Sequence, residues 1–251
     1  MLATRILARL DVKPSLGVVK GRRMEGLRVV GDPHELAVKY AEQGADEILY
    51  LDITASLYGQ PAIHELVSRT ARDVYVPLTV GGGVRTLEDV RRLLRAGADK
   101  VAINTAALAR PAFITEIAET FGSQCVVVSV EAKKCRGKYM AYANSGRDTT
   151  GRVADEWIYE ATERGAGEIL VTSVDRDGTQ QGLDEDFVAW ASPASNDVPL
   201  VVSGGFGAPS DSVMAAQWHA DAVAVGAWLH AGGTVGAIKD ALEGAGMEVR
   251  R

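Results

Sequence analysis

Two carboxylates stand at matching positions in the chain and could share acid–base chemistry. Asp11 and Glu131 each follow a short apolar run, and a lysine comes two residues after each of them, at Lys13 and Lys133. Two carboxylates that face one substrate can act as general acid and general base if their surroundings separate their pKa values. Either residue could instead cap the next helix or pair with a neighbouring lysine, and the residues alone leave both interpretations open.

Two glycine-rich turns, Gly81–Gly83 and Ser203–Gly205, also stand at matching places. Such turns expose backbone N–H groups, which favour an anion when they lie close to a helix N-terminus. Asn104–Thr105 and Gly226–Ala227 follow the next apolar runs and would lie beside these turns. The pattern predicts two phosphate sites and hence a substrate with a phosphate at each end. Ordinary turn chemistry is the alternative.

Charged residues begin four of the apolar runs, two cations and two anions: Arg5, Glu47, Lys100 and Glu168. If the runs are strands of a barrel, the four side chains could form a ring of ion pairs around the barrel axis. They could equally be a solvated set of surface charges, and spacing alone favours that simpler interpretation.

The overall composition excludes several classes of protein. The chain has 251 residues, of which 47% are hydrophobic and 24% are charged, so it is neither disordered nor collagen-like. A formal net charge of -6 argues against a surface that coats nucleic acid. The absence of any apolar run of about eighteen residues argues against a membrane span, and the N-terminal stretch lacks the apolar core of a signal peptide.

The cysteines indicate a reducing compartment. Cys125 and Cys135 are the only two, and the sequence has no C-x-x-C motif and no Cys/His pair at zinc spacing. We therefore expect a cytoplasmic protein without a metal site.

The residues singled out above lie at the ends of elements that the sequence also predicts. Apolar runs rich in Val, Ile and Leu alternate with longer amphipathic stretches, as buried parallel strands alternate with helices. The runs are Arg5–Leu10, Glu47–Leu51, Val76–Val80, Lys100–Ile103, Cys125–Val130, Glu168–Val174, Val198–Val202 and Ala222–Val225. Eight such units in about 250 residues predict an α/β fold, the (β/α)8 TIM barrel, whose functional residues lie at the carboxyl ends of the strands. A doubly wound sheet is the rival, but no G-x-G-x-x-G turn follows the first run.

Local signals predict where some helices begin and end. Asp32 before Pro33 is a candidate N-cap, and Thr86 with Asp89 three residues later resembles a capping box. Glycines stand where helices would end: Gly44, Gly97, Gly165 and Gly246.

An internal repeat indicates that the chain is duplicated. Three pairs of blocks recur at a nearly constant offset of about 120 residues. Gly44–Leu49 matches Gly165–Leu170, Val76–Gly83 matches Val198–Gly205, and Ala98–Ala102 matches Ala220–Ala224. The sequence therefore predicts one barrel built from two half-barrels, approximately residues 1–121 and 122–251.

Longer blocks of the sequence carry a family resemblance. They are Leu10–Lys13, Val18–Gly21, Gly31–Pro33, Leu51–Ser56, Thr79–Gly83, Gly97–Val101, Ile103–Ala107, Phe121–Gln124, Gly165–Leu170, Asp175–Gly178 and Ser203–Gly205. Together they resemble the cyclase subunit of imidazole glycerol phosphate synthase, a barrel family of histidine biosynthesis, over nearly the whole chain. The Leu51–Ser56 and Phe121–Gln124 blocks separate it from the related isomerase barrel of the same pathway.

The resemblance implies an activity and a partner. The family takes ammonia from a glutaminase subunit docked at the barrel bottom, as a heterodimer, and passes it through the barrel to a bisphosphorylated ribulosyl-aminoimidazole carboxamide. Ammonia adds to the ketose carbonyl, and the adduct cyclises and breaks into imidazole glycerol phosphate and an aminoimidazole carboxamide ribotide. The resemblance implies no metal, organic cofactor, nucleic acid or membrane.

The resemblance also implies roles for individual residues. Asp11 and Glu131 fall on the two catalytic aspartates of the family, and Lys20 falls on the lysine of a mobile first loop. The implied substrate- and phosphate-binding set is Lys20, Gly83, Asn104, Thr105, Ser145, Thr172, Asp177, Gly178, Ser203, Gly204, Gly205, Gly226 and Ala227. The charged residues Arg5, Glu47, Lys100 and Glu168 match an ammonia gate, and Asp99 matches an aspartate that faces the partner. The resemblance thus favours the ion-pair ring over solvated charges.

Several positions depart from the family pattern. Glu131 stands in place of an aspartate, and moving a carboxyl group by roughly an ångström can cost about 100-fold in rate. Ala102 and Ala227 replace serines, and the first loop differs at Pro14–Gly17 and Arg23–Met24. Two alternatives therefore stay open. One is an ammonia-dependent amidination enzyme acting on another sugar derivative, such as a nucleotide-linked one. The other is a barrel without catalysis that binds phosphosugars or activates a glutaminase.

Overall fold

The computed structural model describes residues 3–53 and 62–250. The strands in this part of the chain are β1 (Arg5–Lys13), β2 (Gly17–Arg22), β3 (Glu25–Gly31), β4 (Glu47–Asp52), β5 (Leu78–Gly81), β6 (Lys100–Ile103), β7 (Val126–Cys135), β8 (Lys138–Ala143), β9 (Asp148–Val153), β10 (Glu168–Ser173), β11 (Leu200–Ser203) and β12 (Ala222–Val225). Part of one block of the family resemblance, Thr54–Ser56, lies outside the described residues.

Eight of these strands are parallel and close into a barrel within the described ranges. Their order is β10–β11–β12–β1–β4–β5–β6–β7, and β7 pairs with β10 to complete the ring. Every pairing around the ring is parallel. The predicted (β/α)8 barrel is confirmed, because the apolar runs had the length and composition of strands buried on both faces.

Helices connect the barrel strands and cover the outside. They are α1 (Pro33–Glu42), α2 (Ala62–Asp73), α3 (Leu87–Ala96), α4 (Thr105–Ala109), α5 (Ala112–Phe121), α6 (Ala154–Glu163), α7 (Glu185–Ala194), α8 (Ser210–Gln217), α9 (Ala227–His230) and α10 (Val235–Gly244), with a short 3-10 turn at Ser123–Cys125. In residues 3–53 and 62–250, none of these helices has the length and apolar character needed to cross a membrane.

The predicted helix boundaries are confirmed. The Asp32 carboxylate accepts from the N–H groups of the first turn of α1, and Pro33 is the first helical residue. Thr86 and Asp89 form both hydrogen bonds of a capping box at the start of α3. The predicted terminating glycines, Gly44, Gly97, Gly165 and Gly246, all have positive φ at the ends of helices.

Two antiparallel hairpins extend the barrel and were not predicted. The predicted run that corresponds to β1 ends at Leu10, whereas β1 continues to Lys13. The predicted run that corresponds to β7 ends at Val130, whereas β7 continues to Cys135. The extension of β1 pairs with β2, which in turn pairs with β3. The extension of β7 pairs with β8, which in turn pairs with β9. Beyond the apolar runs these segments alternate between polar and apolar residues, because one face is open to solvent. Both hairpins rise from the carboxyl end of the barrel.

The apolar core has two layers. A large cluster fills the space between strands and helices and includes every second residue of β1, from Ile6 to Val12. A separate small cluster lies on the opposite, inward faces of the strands: Leu7, Leu49, Ala102, Val127, Leu170, Val201, Ala222 and Ala224. The barrel interior therefore has an apolar middle, and polar residues lie at both of its ends.

Candidate active site

Asp11 lies at the carboxyl end of the barrel, where both of its carboxylate oxygens meet a cation. Side chains alternate along β1, so Arg9 and Asp11 share the inward face. Nε of Arg9 donates to Oδ1 of Asp11 at 2.9 Å, and Nζ of Lys20 donates to Oδ2 at 2.6 Å. Lys20 also reaches both carboxylate oxygens of Asp177, at 2.9 and 3.1 Å. The β1–β2 hairpin thus folds Lys20 back over the barrel mouth.

Glu131 lies on β7 and is held by two neutral donors. Nδ2 of Asn104 donates to Oε2 at 3.0 Å, and the backbone N–H of Gly146 donates to the same oxygen at 2.8 Å. Gly146 belongs to the β8–β9 turn, in which Asn144, Ser145 and Gly146 all have positive φ. The turn brings the N–H of Gly146 to the side chain of Glu131. Both hydrogen bonds are therefore made to Oε2 of Glu131.

The two carboxyl groups titrate in opposite directions. Burial alone would raise the pKa of Asp11, but the charges of Arg9 and Lys20 outweigh it and hold that pKa well below its usual range. Burial raises the pKa of Glu131 to about 7, and the negative charges of Asp11 and Asp177 oppose the lowering effect of Arg9. At neutral pH the site therefore holds one ionised carboxylate and one carboxyl group that can carry a proton.

A cavity of about 540 Å³ opens between the two carboxyl groups. Several residues that the sequence analysis assigned to the substrate site line it: Asp11, Gly83, Asn104, Thr105, Glu131, Ser145 and Asp177. Two positions that depart from the family pattern, Ala102 and Met24, line it as well. Oδ1 of Asn104 is buried there without a hydrogen-bond partner. The cavity thus offers a ligand an unused acceptor beside Glu131.

A smaller cleft adjoins this cavity on the β10–β12 side. It is lined by the second predicted phosphate-binding group: Lys20, Asp177, Gly178, Ser203, Gly204, Gly205, Gly226 and Ala227. Arg9 and Asp177 line both the cavity and the cleft. The structure therefore gathers the predicted site residues at one end of the barrel, in two connected spaces.

Both glycine turns have backbones that a side chain would disturb. Gly82 has a φ of +109°, and a Cβ there would lie 2.2 Å from the carbonyl oxygen of Asp52. Gly204 has a φ of +97°, and a Cβ there would lie 2.5 Å from the carbonyl oxygen of Ser173. At both turns glycine allows the chain to pass directly over the preceding strand end, which leaves the backbone exposed to the cavity and the cleft.

Arg9 is the residue of this site that the sequence analysis missed. Its side chain is only 3% exposed, and its Nη1 donates to Oγ1 of Thr172 at 3.0 Å and to Oγ of Ser203 at 3.1 Å. In the sequence Arg9 is a single interior arginine of the first apolar run, Arg5–Leu10. The available signal was its spacing of two from Asp11, which places both residues on one face of a strand. Thr172, assigned to substrate binding, uses its hydroxyl oxygen to accept from Arg9.

The four charged residues at the strand starts form a closed ring at the other end of the barrel. Arg5 pairs with Glu47 at 3.2 Å and contacts Glu168 closely, while Lys100 pairs with both glutamates at 2.8 Å. The Thr79 hydroxyl also donates to Glu47. Both glutamates are buried, so the ring is a structural unit rather than a set of solvated charges.

Asp99 is exposed beside this ring. One of its carboxylate oxygens accepts from the backbone N–H of Leu78 at 2.8 Å, which ties the start of β6 to β5. Asp221 holds Leu200 in the same way at 2.8 Å, and Asp46 holds Ile6 at 2.7 Å. Asp99 thus has a local structural role as well as an exposed position.

In the part of the chain that the structure describes, no group of three or more His, Cys, Asp or Glu side chains could hold a metal ion.

Comparison with known proteins gives a consistent result. A family model described as "Histidine biosynthesis protein" matches residues 5–234. The chain is 50% identical over 252 residues to a Myxococcus xanthus protein named "Imidazole glycerol phosphate synthase subunit HisF", with 100% of this chain and 99% of the relative covered. Proteins of the same name from Micrococcus luteus and Beutenbergia cavernae are 48% and 49% identical, and the matches cover 99% of each chain.

Proposed function

The chain belongs to the histidine biosynthesis protein family, and on that premise we propose that it is the cyclase subunit of imidazole glycerol phosphate synthase. The observation that carries the proposal is the position of Asp11 and Glu131, which line one cavity between two glycine turns. The substrate is a bisphosphorylated ribulosyl-aminoimidazole carboxamide, and the second reactant is ammonia. The products are imidazole glycerol phosphate and an aminoimidazole carboxamide ribotide.

The two carboxyl groups take different parts in this reaction. As ammonia adds to the ketose carbonyl, the carbonyl oxygen needs a proton, and a Glu131 side chain that carries a proton near pH 7 can donate it. Asp11 stays ionised, so it stabilises the positive charge on the added nitrogen, and the nitrogen then releases its proton to solvent. In the later steps, which remove a proton and break a C–N bond, Glu131 accepts a proton as its conjugate base.

The two glycine turns would bind the two phosphates of the substrate. The turn at Gly82–Gly83, with Asn104 and Thr105 beside it, borders the main cavity. The turn at Ser203–Gly205 borders the smaller cleft, together with Gly178, Gly226 and Ala227. Backbone N–H groups suit a phosphate at both places. A substrate that occupies both ends passes directly over Asp11.

The ring at the opposite end of the barrel would admit ammonia from a glutaminase partner. We assign the gate to Arg5, Glu47, Lys100 and Glu168, whose ion pairs close that end. The exposed carboxylate of Asp99 would face the partner. Names of the relatives describe them as a synthase subunit, which agrees with a two-subunit enzyme.

A cytoplasmic location fits this assignment. Cys125 and Cys135 are both free cysteines, as expected in a reducing compartment. We propose this location together with the biosynthetic role.

An assay with the bisphosphorylated substrate and an ammonium salt at alkaline pH tests the proposal. Alkaline pH supplies free ammonia, and a mildly alkaline value still leaves a fraction of Glu131 protonated, because the pKa of that group is about 7. We expect turnover by the wild-type chain and a loss of at least about 100-fold in Asp11→Asn, because electrostatic stabilisation of a charge that develops in the reaction contributes about that much or more. Absence of product at enzyme concentrations where Asp11→Asn also gives none would refute the proposal.

The Glu131→Asp variant then separates this function from the alternative acceptor. If the chain is a cyclase with a displaced carboxyl group, shortening the side chain to that of the family aspartate increases its cyclase activity. A chain that uses a different sugar derivative would show no cyclase activity in either form.

A further inference from the structure

Arg9 places a buried cation in the barrel interior, one inward position below Asp11. Its guanidinium is held by three strands: it donates to Asp11 on its own strand β1, to Thr172 on β10 and to Ser203 on β11. Burial would lower the pKa of Arg9, but the surrounding carboxyl groups raise it, so the guanidinium keeps its charge. A cation fixed in this way acts on every carboxyl group at the barrel mouth.

The hydrogen bonds around the two carboxyl groups are asymmetric. Both oxygens of Asp11 accept from cations, at 2.9 Å from Arg9 and at 2.6 Å from Lys20. Glu131 receives its two hydrogen bonds on Oε2 alone, and both come from neutral donors. Oε1 of Glu131 accepts neither of these bonds, so a proton can reside on it and be passed to a ligand in the cavity.

We propose that Arg9 is a positioning residue for the two carboxyl groups: its charge fixes Asp11 as the carboxylate and opposes the protonation of Glu131, so that Glu131 can both give up and take back a proton. The proposal rests on the cyclase function stated above. Arg9 acts through its charge, because it contacts only one of the two carboxyl groups and lies close enough to influence both.

Arg9 suits this role better than Lys20 does. Lys20 lies on the β2 hairpin and divides its ammonium group between Asp11 and Asp177. Arg9 is part of a central barrel strand, and its side chain is less exposed, at 3% against 10% for Lys20. The contribution of Arg9 to the site therefore stays fixed when the hairpin or a ligand moves.

Other charged groups also act on these carboxyl groups. Asp11 is influenced by Arg9 and Lys20. Burial lowers the pKa of His230 on α9 to about 4, and Lys20 lowers it further, whereas the charge of Asp11 offsets part of this shift. Glu131 is influenced by Arg9, Asp11 and Asp177, and by the backbone of Gly146. The remaining charged residues that line the cavity are Asp52, Arg85, Arg110 and Arg147. Among the charged groups around Glu131, Arg9 has the largest effect on the pKa of that residue, and it lowers the pKa.

The test measures the titration of Glu131 directly in the full chain. Glutamate labelled with ¹³C at the side-chain carboxyl is incorporated, and the Glu131 signal is assigned by its loss in Glu131→Gln. The same titration is recorded for Arg9→Gln, which keeps a polar partner for Thr172 and Ser203 without the charge. Arg9→Met is a second neutral variant, Arg9→Lys restores the charge, and Arg92→Met removes an arginine from the exposed face of α3.

We expect the midpoint of the Glu131 titration to rise by about one pH unit or more in both neutral Arg9 variants, since an opposite charge at this range lowers a carboxyl pKa by that amount. Arg9→Lys returns the midpoint close to that of the wild type, and Arg92→Met leaves it unchanged. In the ammonia-dependent reaction, with rates expressed per concentration of free ammonia, the alkaline limb of the pH profile of kcat/KM moves by the same amount.

Two results would overturn the proposal. One is a Glu131 midpoint that is the same in the wild type and in the neutral Arg9 variants. The other is a shift in Arg9→Lys as large as in those variants, which would show that shape rather than charge matters. Because the carboxyl titration requires no turnover, it decides the role of Arg9 even if the wild-type chain lacks cyclase activity.

Discussion

At the scale of single residues, the central feature is the unequal environment of two similar carboxyl groups. Asp11 accepts hydrogen bonds from the cations Arg9 and Lys20, whereas Glu131 is partly buried and accepts from neutral donors. Their pKa values are therefore displaced in opposite directions, and this separation allows one pair to supply both a fixed negative charge and a group that gives up and takes back a proton.

The raised pKa of Glu131 predicts how stability depends on pH. An unfolded glutamate ionises near pH 4.5 and the folded one near pH 7, so between these values the folded state holds a proton that the unfolded state has lost. Stability therefore falls as the pH rises through this window. Glu131→Gln has no such proton. We therefore expect its free energy of unfolding, relative to that of the wild type, to increase by about 2 kcal/mol as the pH rises from about 5 to about 8. The full shift would give roughly 3 kcal/mol, and water in the cavity reduces it.

Urea unfolding at the two pH values measures this difference. Glu163→Gln, at an exposed position of α6, is a matched control for the change of charge. A difference between Glu131→Gln and the wild type that is the same at both pH values would contradict the assigned pKa.

The sequence predicted Asp11 and Glu131 as a pair because their positions after apolar runs are visible without a structure. It did not predict Arg9, because one arginine within an apolar run indicates a function only when its inward neighbours are known. The unequal pKa values were also inaccessible, since they depend on Lys20, Gly146 and Asp177, which come from other elements.

At the scale of elements, the glycine turns position the backbone that would bind phosphate. Gly204 passes over the end of β10, and a Cβ there would lie 2.5 Å from the carbonyl oxygen of Ser173. Because that atom belongs to the backbone of a barrel strand, an added side chain must displace the turn rather than its neighbour.

We expect Gly204→Ala to raise the KM for the bisphosphorylated substrate about tenfold and to change kcat less. The displaced turn loses about one charge-assisted hydrogen bond to phosphate, which is worth about 1.5 kcal/mol or more. Gly232→Ala is the matched control, because Gly232 has a similar φ of +105° but open space where the Cβ would lie. Steady-state kinetics test this, and an equal rise of KM in both variants would assign the effect to general strain.

The elements themselves were predictable to different degrees. The barrel strands and the ends of α1 and α3 follow from apolar runs and capping residues, which are local signals. The two hairpins were not predicted, because the strands that pair at Val12–Val18 and Lys133–Met140 mix polar and apolar residues and lack a continuous apolar run. These unpredicted hairpins are the elements that supply Lys20 and Gly146.

At the scale of the whole molecule, the two ends of the barrel have different chemistry. One end carries the cavity with Asp11 and Glu131, and the other is closed by four ion pairs around Glu47 and Glu168. The small apolar cluster lies between them. The sequence predicted the difference between the two ends once the strands were recognised. Charged residues begin four of the apolar runs, whereas Asp11, Glu131 and the glycine turns follow the ends of others.

The ring predicts a large effect of removing one cation. Lys100→Met leaves Glu47 and Glu168, which are 1% and 4% exposed, with Arg5 as their remaining cation. Breaking a buried ion pair costs about 3 kcal/mol. For a chain of this size that lowers Tm by about 9 °C, taking roughly 3 °C per kcal/mol.

Calorimetry of the full chain measures the change, with Lys138→Met at an exposed position of β8 as the control. If both variants melt within about one degree of each other, the ring contributes no more than an ordinary surface charge.

The duplication into half-barrels of approximately residues 1–121 and 122–251 stays a prediction at this scale. The hairpins after β1 and β7 and the glycine turns after β5 and β11 are consistent with it. A duplicated site explains how one chain could bind both ends of a bisphosphorylated substrate.

The most direct test of the central claim is a ³¹P NMR time course of the bisphosphorylated substrate with the full chain and an ammonium salt. The two carboxyl groups at the barrel mouth are proposed to cleave the substrate between its phosphates. We therefore predict that the two substrate signals disappear together and that two phosphomonoester products form in equal amounts. Asp11→Asn should suppress both products. A substrate that is not consumed, or a single product that retains both phosphates, would contradict the account.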